Sequence, residues 1–322
     1  MRRSAVLSVT ALAGLSLLLS GCSTTASGQP EGSGAIEVVT STNVYGDIVR
    51  EIGGDKVNVK ALITKASQDP HSYEATTQDK LAVSKAKLVV ENGGGYDDFV
   101  HKLADDSNLD HENIISAVEV SGLAPEEEPA AGSTAEEEEE HGHAHDHGAF
   151  NEHVWYSLDA MTKLADAVEA KLAALEPASA PTFQANAAAF KQEISGLKAQ
   201  VTGLTSTATQ APVAVTEPVP LYLLEAAGLV NKTPADYTAA IEEDSDVPPA
   251  ALKEATELAG SKDIKFLAYN TQTEGPQTQA LKKAAEAAGV PVLDFSETLP
   301  DGKTYVQWMS ANVDSIKQAL GK

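Results

Sequence analysis

The chain has 322 residues, with 47 Asp and Glu against 23 Lys and Arg, and a formal net charge of −24. Acidity on this scale argues against nucleic acid as a partner and against electrostatic binding to anionic lipid. Cys22 is the only cysteine, so there is no disulfide framework and no Cys-ligated metal.

Arg2 and Arg3, followed by an apolar run over 5–19, read as a secretory signal that is too short and wrongly flanked to span a membrane. Leu19-Ser20-Gly21-Cys22 looks like a bacterial lipobox, in which the cysteine is acylated and becomes the new N-terminus. Two or more acyl chains anchor stably where one does not. Removing the signal peptide, 1–21, takes away two Arg and no acid, which moves the net charge from −24 to −26. Residues 22–35 are rich in Ser, Thr and Gly and form a lipidated, flexible tether reaching on the order of 20 Å.

Ordered structure begins with a β-rich run over 36–40. A helix over 44–52, a strand over 57–62, a helix near 77–85 and a strand over 88–92 follow. Strands alternating with helices predict an α/β fold with a mostly parallel sheet. Residues 122–148 break the pattern with Glu126–Glu128, Glu136–Glu140 and then His141, His143, His145 and His147. With no apolar face, this stretch reads as a disordered acidic and His-rich loop. Helical spacing returns over 161–175 and 183–204. The second of these helices is long, has no internal Pro and sits mid-chain, where a connecting helix between two lobes belongs. Beyond it come strands over 211–216, 264–269 and 290–295. Helices are predicted over 221–227, 248–259, 276–288 and 305–320. The expected organisation is an N-terminal α/β lobe (36–180), one long rigid connecting helix (181–208) and a C-terminal α/β lobe (209–322). No segment after the signal is long and apolar enough to span a bilayer.

Two histidines have informative surroundings. His71 lies in Asp69-Pro70-His71-Ser72-Tyr73-Glu74, just after a strand, where open α/β sheets place ligands. His153 lies in Asn151-Glu152-His153-Val154-Trp155. Imidazole is the commonest transition-metal ligand, and Asp69 or Asn151 could orient the rings. His101 and His111 lie in polar, Asp-rich stretches and read as surface residues.

These two motifs, separated by an acidic His-rich insert, resemble the metal-binding cluster of the zinc and manganese solute-binding proteins of ABC transporters, the zinc-uptake-like family. Tyr222-Leu-Leu-Glu225-Ala-Ala-Gly228-Leu229 and the long mid-chain helix extend the likeness over the mature chain. The resemblance implies four ligands, two from each lobe. His71 and His153 take the first two places. Glu217, in Thr216-Glu217-Pro218, takes the third, where zinc-type members often have His and manganese-type members Glu. Glu297, in Phe295-Ser296-Glu297-Thr298, takes the fourth, with Asp294 at the strand end as its rival.

Two neutral imidazoles and two carboxylates balance a divalent cation. Zn²⁺ accepts such a set at about 2.0–2.2 Å, and Mn²⁺ accepts it with a preference for more oxygens. Glu217 favours Mn²⁺. The loop histidines His141, His143, His145 and His147 form a weaker auxiliary collecting site and favour Zn²⁺, the expected ion. The implied protein is not an enzyme. It is an extracytoplasmic, membrane-anchored lipoprotein, a monomer that hands its ion to an ABC permease and has no nucleic-acid partner. A surface metal buffer or adhesin, or a metallohydrolase, are the alternatives. His-Glu-x-x-His, a nucleophile elbow and a phosphate loop are all missing from the sequence. Lobe closure should be modest, and binding should weaken as the imidazoles protonate below about pH 6.

Overall fold

The computed structural model describes residues 34–125 and 150–321. Cys22 and the loop histidines His141, His143, His145 and His147 lie outside these residues. The first half runs β1 (Ile36–Thr42), α1 (Asn43–Gly53), β2 (Val57–Ile63), α2 (Thr77–Val83), β3 (Leu88–Glu91), α3 (Asp98–Asp106), β4 (Ile114–Ser116), α4 (Ala117–Ser121) and α5 (Leu158–Leu175). The helix α6 (Ala180–Ala208) leads into β5 (Ala211–Val215), α7 (Leu221–Ala226), β6 (Leu229–Asn231), α8 (Ala235–Glu242) and α9 (Pro249–Ala259). The chain ends with β7 (Leu267–Asn270), α10 (Pro276–Ala288), β8 (Val292–Phe295) and α11 (Tyr305–Ala319).

Each lobe has one four-stranded parallel sheet, ordered β2-β1-β3-β4 in the first and β6-β5-β7-β8 in the second. The two orders are the same: the first strand of each lobe lies inside its sheet, and the chain crosses to one side and then to the other. The switch points therefore fall between β1 and β3 and between β5 and β7, and open sheets bind ligands at the carboxyl ends of the strands there. β3 is buried at every position, as expected for a strand covered on both faces. β2 sits at an edge, alternates half-buried with exposed positions over 57–61 and is buried only at Leu62 and Ile63.

In α6 the buried residues are Phe183, Ala187, Phe190, Ile194, Leu197, Val201, Leu204 and Ala208. They alternate in steps of four and three, a 3.5-residue seam that lets a long helix keep one face against its neighbours. That seam belongs to one continuous apolar core running from Ile36 in the first lobe to Ile316 in α11. The lobes are thus joined by shared core as well as by helix.

β4 and β6, with three residues each, are too short to show a period in the sequence. The strand expected from 264 enters its ladder only at Leu267, and that expected from 290 only at Val292. Among the described residues no helix is long and apolar enough to cross a membrane.

Candidate metal centre

His71 stands on the loop after β2, and His153 precedes a short 3-10 turn over Val154–Tyr156. Glu217 lies two residues beyond β5, and Glu297 two residues beyond β8. Ligand atoms of His71, His153 and Glu297 all lie within 4.8 Å of one another. Glu217 lines the same cavity, of about 360 Å³, and shares a donor with Glu297. The Asn270 side-chain amide, at the end of β7, donates to Glu217 Oε2 and also, at 2.7 Å, to Glu297 Oε1. Thr273 Oγ1 donates to Glu217 Oε2 at 2.5 Å.

His153 is 1% exposed, and its ring Nδ1 is 2.8 Å from Asn151 Oδ1. An amide oxygen only accepts, so Nδ1 carries the proton and Nε2 keeps its lone pair for the cavity. Asp69 acts differently from Asn151. Its oxygens accept from the His71 backbone N–H at 2.9 Å and from the Ser72 hydroxyl at 2.6 Å, which shapes the turn that carries His71. Tyr96 lies edge-on to His71 at 5.0 Å and to His153 at 5.8 Å, and its hydroxyl donates to Glu297 Oε2 at 3.0 Å. Trp155 packs 5.0 Å from the His153 ring.

Two more acids meet the histidines. Glu152 Oε1 is 3.8 Å from His71 Nε2, and Glu242 Oε1, at the end of α8, is 3.5 Å from His153 Nε2. Glu152 Oε1 and both Glu242 oxygens are buried without a hydrogen-bond donor. Burial, then the nearby Glu297, pushes the Glu217 carboxyl up to about 8. Burial raises Glu297 as well, against the hydrogen bonds from Asn270 and Tyr96. Glu152 is pushed to about 7 by burial, and Glu242 is raised by burial and by Glu152. Burial, then His71, holds the His153 imidazole well below its usual range. Three carboxyls and two imidazoles around one cavity, with the buried Glu152 beside His71, form a seat for a cation, because each ionised acid enclosed without a counter-charge is costly.

Of the two candidates for the fourth place, Glu297 is 5% exposed and reaches the histidines. Asp294 is exposed on β8 and faces a separate cavity with Lys303 and Trp308. Tyr96, Asn270 and Glu242 were not singled out from sequence. The Gly93-Gly94-Gly95 run before Tyr96 is a local signal, since all three glycines have positive φ. A Cβ on Gly93 would collide with the Ser116 hydroxyl. Asn270 ends a strand at a switch point, which is a second usable signal.

Residues 38–319 match the sequence family described as ZnuA, zinc-uptake complex component A, periplasmic. The manganese ABC transporter substrate-binding lipoprotein scaA of Streptococcus gordonii is 22% identical over 94% of this chain and 95% of its own. The zinc-binding lipoprotein AdcA of Streptococcus pneumoniae is 27% identical over 91% of this chain, which spans 57% of AdcA. The periplasmic zinc-binding protein TroA of Treponema pallidum superposes with a TM-score of 0.68 at 23% identity, covering 89% of this chain and 99% of TroA.

Proposed function

The chain belongs to the periplasmic zinc-uptake complex component A family, and on that premise we propose that it captures a divalent transition-metal ion outside the cytoplasm and delivers it to an ABC permease. The observation that carries this reading is the meeting of His71, His153 and Glu297, from both lobes, within 4.8 Å. His71, His153, Glu217 and Glu297 are the proposed ligands. Zn²⁺ is the proposed cargo, supported by the N₂O₂ donor set and by the His-rich loop. Mn²⁺ is the second reading, favoured by the extra oxygens of Glu152 and Glu242 beside the histidines.

Capture uses the cleft's own chemistry. Asp69, Asp244, Asp246 and Glu274 line the cavity with the ligands and draw cations inward. The ion takes the lone pair of His153 Nε2 and replaces the protons held on the buried carboxyls, so uptake releases protons. Hydrogen bonds cross between lobes around the site. Tyr222 Oη donates to Asn151 O at 2.6 Å, and Tyr156 Oη donates to Ser296 O at 2.8 Å. Making and breaking such bonds gives loaded and empty forms the difference a permease must recognise.

In this reading Cys22 carries the lipid and residues 22–35 tether a monomeric body near its permease. The acidic surface leaves nucleic acid aside as a partner. The protein binds without turnover, because four protein ligands fill a tetrahedral shell and leave no open position for a catalytic water. Metal analysis of protein purified without added metal, followed by competition of Zn²⁺ against Mn²⁺, tests the cargo. One tightly held equivalent lost in His71→Ala is expected. Metal-dependent ester or phosphate hydrolysis that disappears in His153→Ala would overturn the transport reading.

A further inference from the structure

Outside the cleft, the structure gathers a second set of metal-binding side chains. His101 and Asp105 are four residues apart on α3, so they share one face of that helix. His111 opens the 3-10 turn His111–Asn113 just beyond. It folds back so that its ring lies 5.1 Å from that of His101 and its Nε2 lies 3.0 Å from Asp105 Oδ1. One ligand atom from each of His101, Asp105 and His111 falls within 4.8 Å of the others.

A fourth group is independent of this surface trio. Glu91 ends β3, and its side chain is 8% exposed. Its Oε1 is 3.5 Å from His101 Nδ1, and its Oε2 is buried without a partner. A buried carboxylate with no donor is costly. A carboxylate behind the far nitrogen of a ligating imidazole is, however, how proteins orient metal-binding histidines: it accepts from Nδ1–H and leaves Nε2 for the ion.

We propose that His101, Asp105 and His111 bind a second divalent transition-metal ion, with Glu91 as the positioning residue behind His101. Two imidazoles and one carboxylate make an N₂O set suited to Zn²⁺ or another borderline cation, with a fourth position open to water. The three ligands are exposed, with side chains 48%, 54% and 63% accessible for His101, Asp105 and His111. The ion is therefore held more weakly than in the cleft and exchanges more readily. The same helix supplies Asp98, Phe99 and Lys102 to the cavity at the cleft mouth, beside His71. The second site thus shares a helix with the entrance, although none of its three ligands lines that cavity. The proposal stands apart from the cleft assignment, since no residue is shared.

The test is a zinc chloride titration of the full mature chain with His141, His143, His145 and His147 changed to Ala, read by competition with a chromophoric chelator. Two equivalents are expected, the second weaker. The pair His101→Ala and His111→Ala should remove only the second, and His71→Ala only the first. Glu91→Gln should weaken the second about 10–100-fold and leave the first unchanged. The melting temperature of each metal-free variant shows that it is folded. A single equivalent in the parent overturns the proposal, and so does a second equivalent that survives loss of both His101 and His111.

Discussion

His153 and Glu217 titrate in opposite directions, and this changes what sets the pH range of binding. The imidazole is held well below its usual range, so it stays neutral and ready at mildly acidic pH. The Glu217 carboxyl, at about 8 against 4.5 when exposed, still carries its proton near neutrality in the metal-free protein. Protons therefore compete with the metal at Glu217, and apparent affinity should rise from pH 6 through pH 8. Calorimetry in buffers of different ionisation enthalpy should record proton release on binding. Stability follows the opposite course. A raised folded-state pKa contributes stability that is full below about pH 4.5 and is lost as pH rises through about 8. The melting temperature of metal-free protein should fall across that window, and Glu217→Gln should flatten the slope. Ligand removal separates the two candidates for the fourth place. Glu297→Ala should weaken zinc by more than about 100-fold, beyond the loss typical of groups that only orient ligands, while Asp294→Asn should change it little. A titration of each variant reads both outcomes. Gly93→Ala should both destabilise the fold and weaken binding, because its positive φ and contact with Ser116 aim the loop that carries Tyr96.

At the scale of elements, α6 is the member whose mechanics matter most. Its seam of buried residues was visible as helical spacing, and its length followed from the lack of a breaker. Two exposed glycines, Gly196 and Gly203, interrupt it, and a methyl group at either would meet nothing within 4 Å. Replacing each with Ala should raise stability by about 0.5–1 kcal/mol per site in thermal or denaturant unfolding. Phe190→Ala, on the seam, should cost about 3–5 kcal/mol by the same measurement. The short strands β4 and β6 had no readable pattern, since three residues carry less than two alternations. The late starts of β7 and β8 have a related cause. Ile264 is buried, yet it lies outside its ladder. Apolar pattern reports burial, and pairing partners decide where a strand begins.

Over the whole molecule, two lobes of the same strand order face each other across a shared core. Hydrogen bonds between Asn43 and Leu299 and between Asp47 and Tyr305 tie the first helix to the end of the second lobe. Closure around an ion should therefore be a small adjustment of a braced cleft, and X-ray scattering of metal-free and loaded protein should differ only slightly. The loop lies beyond the described residues and is separable in the same way. Deleting 136–147 should spare one tight equivalent of metal, whereas His71→Ala should remove it; equilibrium dialysis of the two variants distinguishes collecting from holding.

The sequence by itself determined the alternation of strands and helices, the long mid-chain helix and the two motifs around His71 and His153. These are local patterns, written in neighbours a few residues apart. It also ranked Glu217 and Glu297 as partners, though only by resemblance. Tertiary structure alone decided that Glu297 rather than Asp294 reaches the histidines, because the bend after β8 carries Glu297 into the cleft while Asp294, on the strand itself, is exposed. It also brought Tyr96, Asn270 and Glu242 into the cleft. In the same way it converted His101 and His111, bland in sequence, into neighbours over a buried Glu91. The cleft residues come from strand ends and loops that are distant in sequence and meet only when the sheets form, and Glu91 reaches His101 from the end of β3.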